Sequence, residues 1–324
     1  MRVLLALGGN AMSGPGGSTK PEDQIAGVQQ SMASVADLIV AGVEVVLTHG
    51  NGPQVGSLLV MNEVSASVVP PLPLDWCGAQ TQATLGFIML NALEAAMAER
   101  GAARSTVAVV TRTLVSVDDG GFSHPSKPIG RYLTREEATV LIEHGQHFED
   151  RGERGWRRVV ASPEPLEILE VSVIAQLMRA GHIVIANGGG GIPVVRDSDG
   201  CLRGVEAVID KDLGAALLAR NLGVDRLVIA TDVEAAVLGF DGPDAQPLGT
   251  VSVADLRGYA ADGHFASGSM GPKVEAICRF VEATGRPGAI TSLANIVATV
   301  RGEAGTFVIP AGDGASATRD GRGT

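Results

Sequence analysis

The sequence of 324 residues predicts an α/β protein with a mostly parallel central sheet that is covered by helices on both faces. Short aliphatic runs alternate with longer helical patterns along the chain, and most of these runs lack the polar alternation of a half-exposed strand. The chain contains 43 glycines but only 7 Phe, 2 Trp and 2 Tyr residues. We therefore expect a core of Ala, Val, Leu and Ile, with many backbone positions that favour glycine.

The aliphatic runs predict seven strands, at residues 3–7, 43–48, 106–111, 183–187, 227–231, 288–292 and 306–309. The longer patterns predict six helices, at residues 24–41, 79–100, 172–180, 210–222, 252–260 and 272–284. Ser252 followed by Asp255 resembles a capping box at the start of one of these helices. Because strands and helices alternate, the carboxyl ends of the strands are expected to form the ligand crevice of the sheet.

One segment, residues 118–162, departs from this alternation. It contains Asp-Asp-Gly-Gly, Pro-Ser-Lys-Pro, a polar helical pattern at residues 134–143 and a charged stretch at 149–158. Its apolar content is too low for a strand and helix of the main sheet, so we expect a small protruding subdomain. The alternative is a long surface loop, but compact domains seldom contain structureless loops of this length. The small, polar residues 311–324 predict a disordered tail.

Charge and composition exclude several classes of protein. With 25 basic and 36 acidic residues, the formal net charge of −11 opposes general binding to nucleic acid or to an anionic membrane. Apolar runs are too short for a membrane span or a signal peptide. Three widely spaced cysteines, Cys77, Cys201 and Cys278, indicate reduced thiols and a cytoplasmic location.

Two familiar nucleotide-binding motifs are missing from the sequence. No Gly-Lys dipeptide occurs, so there is no P-loop, and Val55 stands where the third glycine of a G-x-G-x-x-G motif would be. A P-loop kinase and a dinucleotide-binding dehydrogenase are therefore not expected.

Glycine-rich junctions follow three of the predicted strands. They are Gly8-Gly9-Asn10, Gly50-Asn51-Gly52 and the four glycines at residues 188–191. Consecutive glycines let backbone N–H groups approach an anion closely. Each junction alone could be an ordinary turn, but three at the same edge of the sheet favour a phosphate-binding site.

Lysine is scarce, and its placement is informative. Of the four lysines, Lys211 and Lys273 lie at predicted helix starts, where the helix dipole favours an anion rather than a cation. A bound phosphate would resolve this conflict, and phosphoryl transfer depends mainly on such positioning and charge neutralisation. Lys127 lies in the Pro-punctuated mouth of the inserted segment, whereas Lys20 lies in a polar stretch and is expected to be solvated.

Carboxylates accompany these lysines. Asp210 and Asp212 flank Lys211, where they could hold its ammonium group, serve Mg²⁺ or simply begin the helix. Asp232 follows a further strand at the same edge of the sheet.

Taken together, these motifs resemble the carbamate kinases of the amino-acid-kinase superfamily. The matching segments run in order along nearly the whole chain and include LALGGNA (5–11), THGNGPQVG (48–56), SKPIG (126–130), NGGGGIPVV (187–195), GVEAVIDKDL (204–213) and GSMGPKVEA (268–276). The resemblance implies a three-layer αβα sandwich with a mostly parallel central sheet and a small protruding subdomain. It also implies a homodimer that transfers a phosphoryl group reversibly between carbamoyl phosphate and ADP with Mg²⁺.

The resemblance assigns roles to individual residues. Lys211 and Lys273 would stabilise the transferring phosphoryl with Asp210 organising them, and Lys127 would reach over the carbamoyl phosphate site. The substrate loops would be formed by Gly8, Gly9, Asn10, Gly50, Asn51 and Gly52, and the nucleotide would contact Asp232, Met270, Gly271 and Lys273. No metal ligand of the protein itself is implied.

The resemblance also divides the chain. Residues 1–204 would form the carbamoyl phosphate half and residues 205–310 the nucleotide half. Within residues 234–247 the expected tyrosine is Val237, so an aromatic contact near the nucleotide is expected to be missing. Two other functions remain open here: a kinase for another small carboxylate or phosphonate acceptor, and a non-catalytic homologue that senses carbamoyl phosphate.

Overall fold

The computed structural model describes residues 1–13, 17–240, 242, 245–266 and 269–312, with the side chain of Asn10 left out. The predicted tail, beyond residue 312, and part of the 234–247 segment therefore lie outside the described residues. The α/β class is confirmed by an eight-stranded sheet in the described part, in which one pair of neighbouring strands is antiparallel and the others are parallel.

The described strands, in chain order, are β1 (Arg2–Leu7), β2 (Glu44–His49), β3 (Thr106–Ala108), β4 (Arg112–Leu114), β5 (Lys127–Leu133), β6 (His147–Asp150), β7 (Trp156–Val160), β8 (Glu167–Ile168), β9 (Ile183–Ile185), β10 (Ile192–Arg196), β11 (Leu202–Gly204), β12 (Arg226–Thr231), β13 (Val237–Leu238), β14 (Gln246–Pro247), β15 (Thr250–Ser252), β16 (Gly288–Ser292) and β17 (Thr306–Ile309). The main sheet has the order β15-β17-β16-β12-β1-β2-β9-β3.

The described α-helices are α1 (Pro21–Val40), α2 (Gly52–Ser65), α3 (Leu74–Glu99), α4 (Gly120–Ser123), α5 (Arg135–Glu143), α6 (Val171–Arg179), α7 (Lys211–Leu222), α8 (Val253–Ala261), α9 (Met270–Thr284) and α10 (Ile296–Arg301). None of the helices in the described part is long and apolar enough to cross a membrane.

Side chains of β1 show why the sheet is covered on both faces. Leu4 and Ala6 pack into a cluster with α7 and α9, whereas Val3, Leu5 and Leu7 pack into a second cluster with α1 and α3. Successive side chains of a strand point to opposite faces, so a continuous apolar run fills both layers. Burial of each large aliphatic side chain contributes about 1.5–3 kcal/mol. The two clusters give the three-layer sandwich that was predicted.

The predicted strand at residues 106–111 ends early, at Ala108, and a separate strand that was not predicted begins at Arg112. Thr106–Ala108 joins the main sheet, and Arg112–Leu114 joins a four-stranded sheet of order β11-β10-β4-β8. The hydrogen bonds of Thr111 explain the break, because its amide donates to the side chain of Gln82 and its hydroxyl accepts from the amide of Asn187. Polar side chains thus provide hydrogen-bond partners for backbone groups at the point where the pairing of the strands ends.

Helix α2 was not predicted. It begins at Gly52-Pro53, residues that are typical of loops, although proline is well suited to the first turn of a helix. The predicted helix at 79–100 in fact begins at Leu74, directly after Pro73. The capping residue Ser252 accepts from the amide of Asp255 as expected.

The 118–162 segment contains a three-stranded antiparallel sheet of order β5-β7-β6 with α5 between β5 and β6. Helix α5 begins with a complete capping box between Thr134 and Glu137. Ile129 and Val160 of this sheet share a hydrophobic cluster with Val55 of α2. This contact holds the small sheet beside the loop that follows β2.

Candidate active site

Loops at the carboxyl ends of β1 and β2 pack against each other and against Lys211. A methyl group on Gly50 would lie 2.8 Å from the amide nitrogen of Gly9 and 3.1 Å from Cδ of Lys211. Residue 50 therefore has to be glycine for these three groups to pack this closely. The third junction, residues 188–191, follows β9 at the same edge of the sheet.

Two cavities open along this edge, with volumes of about 790 Å³ and about 440 Å³. The first, which we call the large cavity, is lined by residues of α2, β5 and the loop after β2. The second, the small cavity, is lined by residues that follow β12 and by the start of α9. Both cavities are lined by Gly9, Lys211, Ser269 and Lys273. The two cavities thus meet at a pair of lysines.

Most of the predicted site residues lie on one of these cavities. The large cavity is lined by Gly50, Asn51, Gly52, Lys127 and Asp210, and the small cavity by Gly8, Asp232 and Met270. Gly8, which was expected to belong to a substrate loop, lines the small cavity.

Two predicted residues are not placed on the cavities. The side chain of Asn10 lies outside the described residues, although its backbone belongs to the short 3-10 helix Gly9–Met12. Gly271 lies in the first turn of α9, and its amide donates to the carbonyl of Ala266 at 2.9 Å. A methyl group on Gly271 would lie 3.0 Å from that carbonyl oxygen, so its place in the turn depends on its small size.

Asp212 connects the two lysines. Its Oδ1 accepts from Nζ of Lys211 at 2.5 Å and its Oδ2 accepts from Nζ of Lys273 at 3.3 Å, with the carboxylate side chain only 4% exposed. Burial alone would raise the pKa of Asp212, but the two ammonium groups outweigh it and hold this pKa below its ordinary value. A single ionised carboxylate therefore holds both cations at the junction of the cavities.

Asp210 does not have the partners that were expected for it. It caps α7, and its Oδ1 accepts from the amides of Asp212 and Leu213 at 2.9 and 3.2 Å. Its Oδ2 accepts from Nζ of Lys127 at 2.6 Å. In the described residues, therefore, Asp210 pairs with Lys127, whereas Asp212 pairs with Lys211 and Lys273. The sequence feature that pointed to Asp212 was its position next to Lys211 at the start of the helix.

His49 supports the loop that follows β2. It is buried, and its Nδ1 lies 3.0 Å from the carbonyl oxygen of Gly50. Burial lowers the pKa of His49 to about 4, although the hydrogen bond to Gly50 raises it in part. The imidazole is therefore neutral at pH 7 and donates to this carbonyl, which fixes the backbone beside Lys211.

Replacing Gly188 by alanine is expected to lower the free energy of unfolding by about 2 kcal/mol. A methyl group on Gly188 would overlap the imidazole of His49, which is buried and is hydrogen-bonded to the carbonyl of Gly50. Urea denaturation at pH 7 measures the effect. Gly258→Ala is the matched control, because Gly258 is exposed on α8 and its methyl group would meet no atom within 4 Å. Equal stability of the two variants would contradict this prediction.

The small cavity has an aromatic wall despite the valine at position 237. Phe240, His264 and Phe265 all line it together with Val237. Phe240, three residues after Val237, thus places an aromatic ring on the same cavity, and the expectation that Val237 lacks an aromatic contact to the nucleotide stays a prediction. Phe240 is 62% exposed, so one of its surfaces faces open space.

Known proteins resemble this chain over nearly its whole length. The profile of the Amino acid kinase family matches residues 1–292. A carbamate kinase of Thermococcus kodakarensis is 44% identical over 95% of this chain and 99% of its own length, and one of Trichomonas vaginalis is 40% identical over 96% and 100%. The structure of carbamate kinase from Giardia lamblia bound to AMP-PNP superposes with a TM-score of 0.90 at 40% identity, covering 95% of this chain and 98% of that one.

Proposed function

The chain belongs to the amino acid kinase family and, within it, to the carbamate kinases, and on this premise we propose that it transfers a phosphoryl group reversibly between carbamoyl phosphate and ADP. The observation that carries the proposal is the meeting of two cavities at Lys211 and Lys273. Carbamoyl phosphate would occupy the large cavity and ADP the small one. The products in this direction are ATP and carbamate.

The two lysines would act on the transferring group itself. Negative charge is spread over the phosphoryl oxygens in the transition state, and preorganised cations stabilise it without a covalent intermediate. Asp212 fixes both ammonium groups before the substrates bind, so little reorganisation is needed at the moment of transfer. The amide of Gly50 donates to the carbonyl of Leu7, so other backbone N–H groups of the loops at Gly9 and Gly50 would bind oxygens of the phosphate.

Lys127 would contribute from the small three-stranded sheet. In the structure its ammonium group pairs with Asp210 at 2.6 Å and lines the large cavity. A substrate phosphate would compete with Asp210 for this ammonium group. Lys127 would then bind carbamoyl phosphate from the small three-stranded sheet.

Mg²⁺ is part of the proposal as a partner of the nucleotide. In the described residues no group of three or more His, Cys, Asp or Glu side chains is arranged to hold a metal. In kinases Mg²⁺ is usually held mainly by phosphate oxygens and water. Asp232 is the carboxylate lining the small cavity that would accept the ion or its water shell. When bound, Mg²⁺ would neutralise charge on the nucleotide phosphates.

The aromatic wall of the small cavity would receive the nucleotide base. Phe240 and Phe265 offer π-faces on which a base can stack, and the AMP-PNP complex of the Giardia relative indicates an adenine nucleotide for this class of enzyme. We propose that the active protein is a cytoplasmic homodimer.

A coupled assay of ATP formation tests the proposal. The full chain is supplied with carbamoyl phosphate, ADP and Mg²⁺, and we expect ATP to form at a rate proportional to enzyme concentration. Omission of carbamoyl phosphate is the control for contaminating ADP-consuming activity. A rate equal to the blank would rule out the proposed reaction.

A further inference from the structure

Five cationic side chains line the large cavity in the described part of the chain, and four of them are neutralised by carboxylates. Lys127 pairs with Asp210, and Lys211 and Lys273 pair with Asp212. Arg131 pairs with Glu63 at 3.1 Å and with Glu137 at 3.4 Å. The fifth cation, Arg157, has no carboxylate within 4.0 Å among the described residues.

The guanidinium group of Arg157 is also incompletely hydrogen-bonded. Its Nε is buried and has no hydrogen-bond partner among the described residues. Buried polar atoms of native proteins nearly always have a partner, and an unsatisfied charged donor is costly. Because Arg157 lines the large cavity, an anion there would supply the missing negative charge.

Tyr132 holds Arg157 in place. The guanidinium carbon lies 4.9 Å from the centroid of the Tyr132 ring, and one terminal nitrogen donates to the Tyr132 hydroxyl at 3.3 Å. These two residues are paired across β5 and β7, just beyond an irregularity in the register between Ile129 and Tyr132. At this irregularity Gly130 has a positive φ of 70°, and both Gly130 and Arg131 line the large cavity with Arg157. Arg157 is therefore oriented by the protein before any ligand arrives.

We propose that Arg157 binds the phosphate of the acyl phosphate substrate in the large cavity and so helps to select a small, doubly charged anion. The planar fork of Arg donates two parallel hydrogen bonds to phosphate or carboxylate oxygens, which a lysine does not reproduce. This inference rests on the proposed function, because the substrate would be carbamoyl phosphate. It adds Arg157 to Lys127 as a substrate-binding cation of the small three-stranded sheet, so that this sheet recognises substrate rather than nucleotide.

Steady-state kinetics of ATP formation provide the first test. In Arg157→Gln the KM for carbamoyl phosphate is expected to rise about tenfold to a hundredfold, because charge-assisted hydrogen bonds are lost. The KM for ADP should stay within twofold, because ADP would occupy the small cavity, which Arg157 does not line. Arg157→Lys retains the charge without the fork and should give an intermediate KM for carbamoyl phosphate.

Arg154→Gln is the matched control. Arg154 is exposed in the turn before β7, and it resembles Arg157 in that hydrogen bonds from both residues lower the pKa of the Tyr132 phenol. It does not line the large cavity. The control removes the same charge from the same small sheet, and its two KM values should equal those of the wild type.

Several results would overturn the role of Arg157. One is a KM for carbamoyl phosphate in Arg157→Gln that stays within threefold of the wild-type value. Another is an equal rise of the KM values for carbamoyl phosphate and for ADP in this variant. If circular dichroism shows that Arg157→Gln does not fold, an unchanged KM for carbamoyl phosphate in Arg157→Lys would overturn the role instead.

If the wild type forms no ATP, the proposed function fails separately, and calorimetric titration with inorganic phosphate decides the role of Arg157. Weaker phosphate binding in Arg157→Gln than in Arg154→Gln would then support it, and equal binding would overturn it.

Discussion

Replacing Lys211 by alanine is expected to lower kcat for ATP formation by about 10³-fold. Lys211 lines both cavities, so its ammonium group lies where the phosphoryl group would pass from one substrate to the other. A preorganised cation at this point acts on charge that develops in the transition state, and its loss should therefore reduce kcat more than it changes either KM. The measurement is the coupled assay of ATP formation at saturating carbamoyl phosphate and ADP.

Lys20→Ala is the control for this variant. Lys20 is the exposed residue that precedes α1, and its removal should leave kcat within twofold of the wild type. Thermal unfolding of Lys211→Ala should accompany the assay, because Asp212 loses one of its two cations in this variant. A folded Lys211→Ala protein that keeps more than a tenth of the wild-type kcat would contradict the role of Lys211.

The architecture could be predicted from the sequence because the patterns that indicate its strands are local. Each strand of the sheet interior, such as β1 or β12, is a continuous apolar run that can be recognised without knowledge of its neighbours. Helix α2 was missed because its first residues, Gly52-Pro53, are typical of loops. Other errors occur where a distant side chain determines the backbone conformation. Asn187 has a left-handed conformation with φ of 56° and ends β9 two residues early, in contact with Thr48 and Thr113 from other parts of the chain.

The candidate site was predicted in its residue types but not in its pairings. Asp210 and Asp212 are two residues apart at the same helix start, and only the capping geometry shows which of them faces Lys211. The contact of Asp210 with Lys127 joins positions 83 residues apart, which no local pattern reveals. Arg157 had no motif of its own, and its unsatisfied Nε is visible only once the side chains around it are placed.

Replacing Asp212 by asparagine is expected to lower the free energy of unfolding at pH 7 by about 3–5 kcal/mol, which is typical when one partner of a buried ion pair is removed. The side chains of Lys211 and Lys273 are only 19% and 13% exposed, so water would compensate poorly for the lost carboxylate. A neutral amide at position 212 would also leave the two ammonium groups to repel each other. Urea denaturation measures the difference, with Asp262→Asn at the exposed end of α8 as a control that should change stability by no more than about 0.5 kcal/mol.

The dependence of this difference on pH separates loss of the ion pairs from a simple change in packing. Because the pKa of Asp212 is below its ordinary value in the folded protein, its carboxylate contributes fully above the unfolded pKa of about 4. That contribution is lost as the pH falls through the folded pKa, since the unfolded chain then binds the proton more readily. The gap in stability between wild type and Asp212→Asn should therefore be constant from pH 5 to pH 7 and become smaller below pH 4. A gap that is small at pH 7, or that stays the same at acid pH, would mean that Asp212 does not hold the two lysines as an ionised carboxylate.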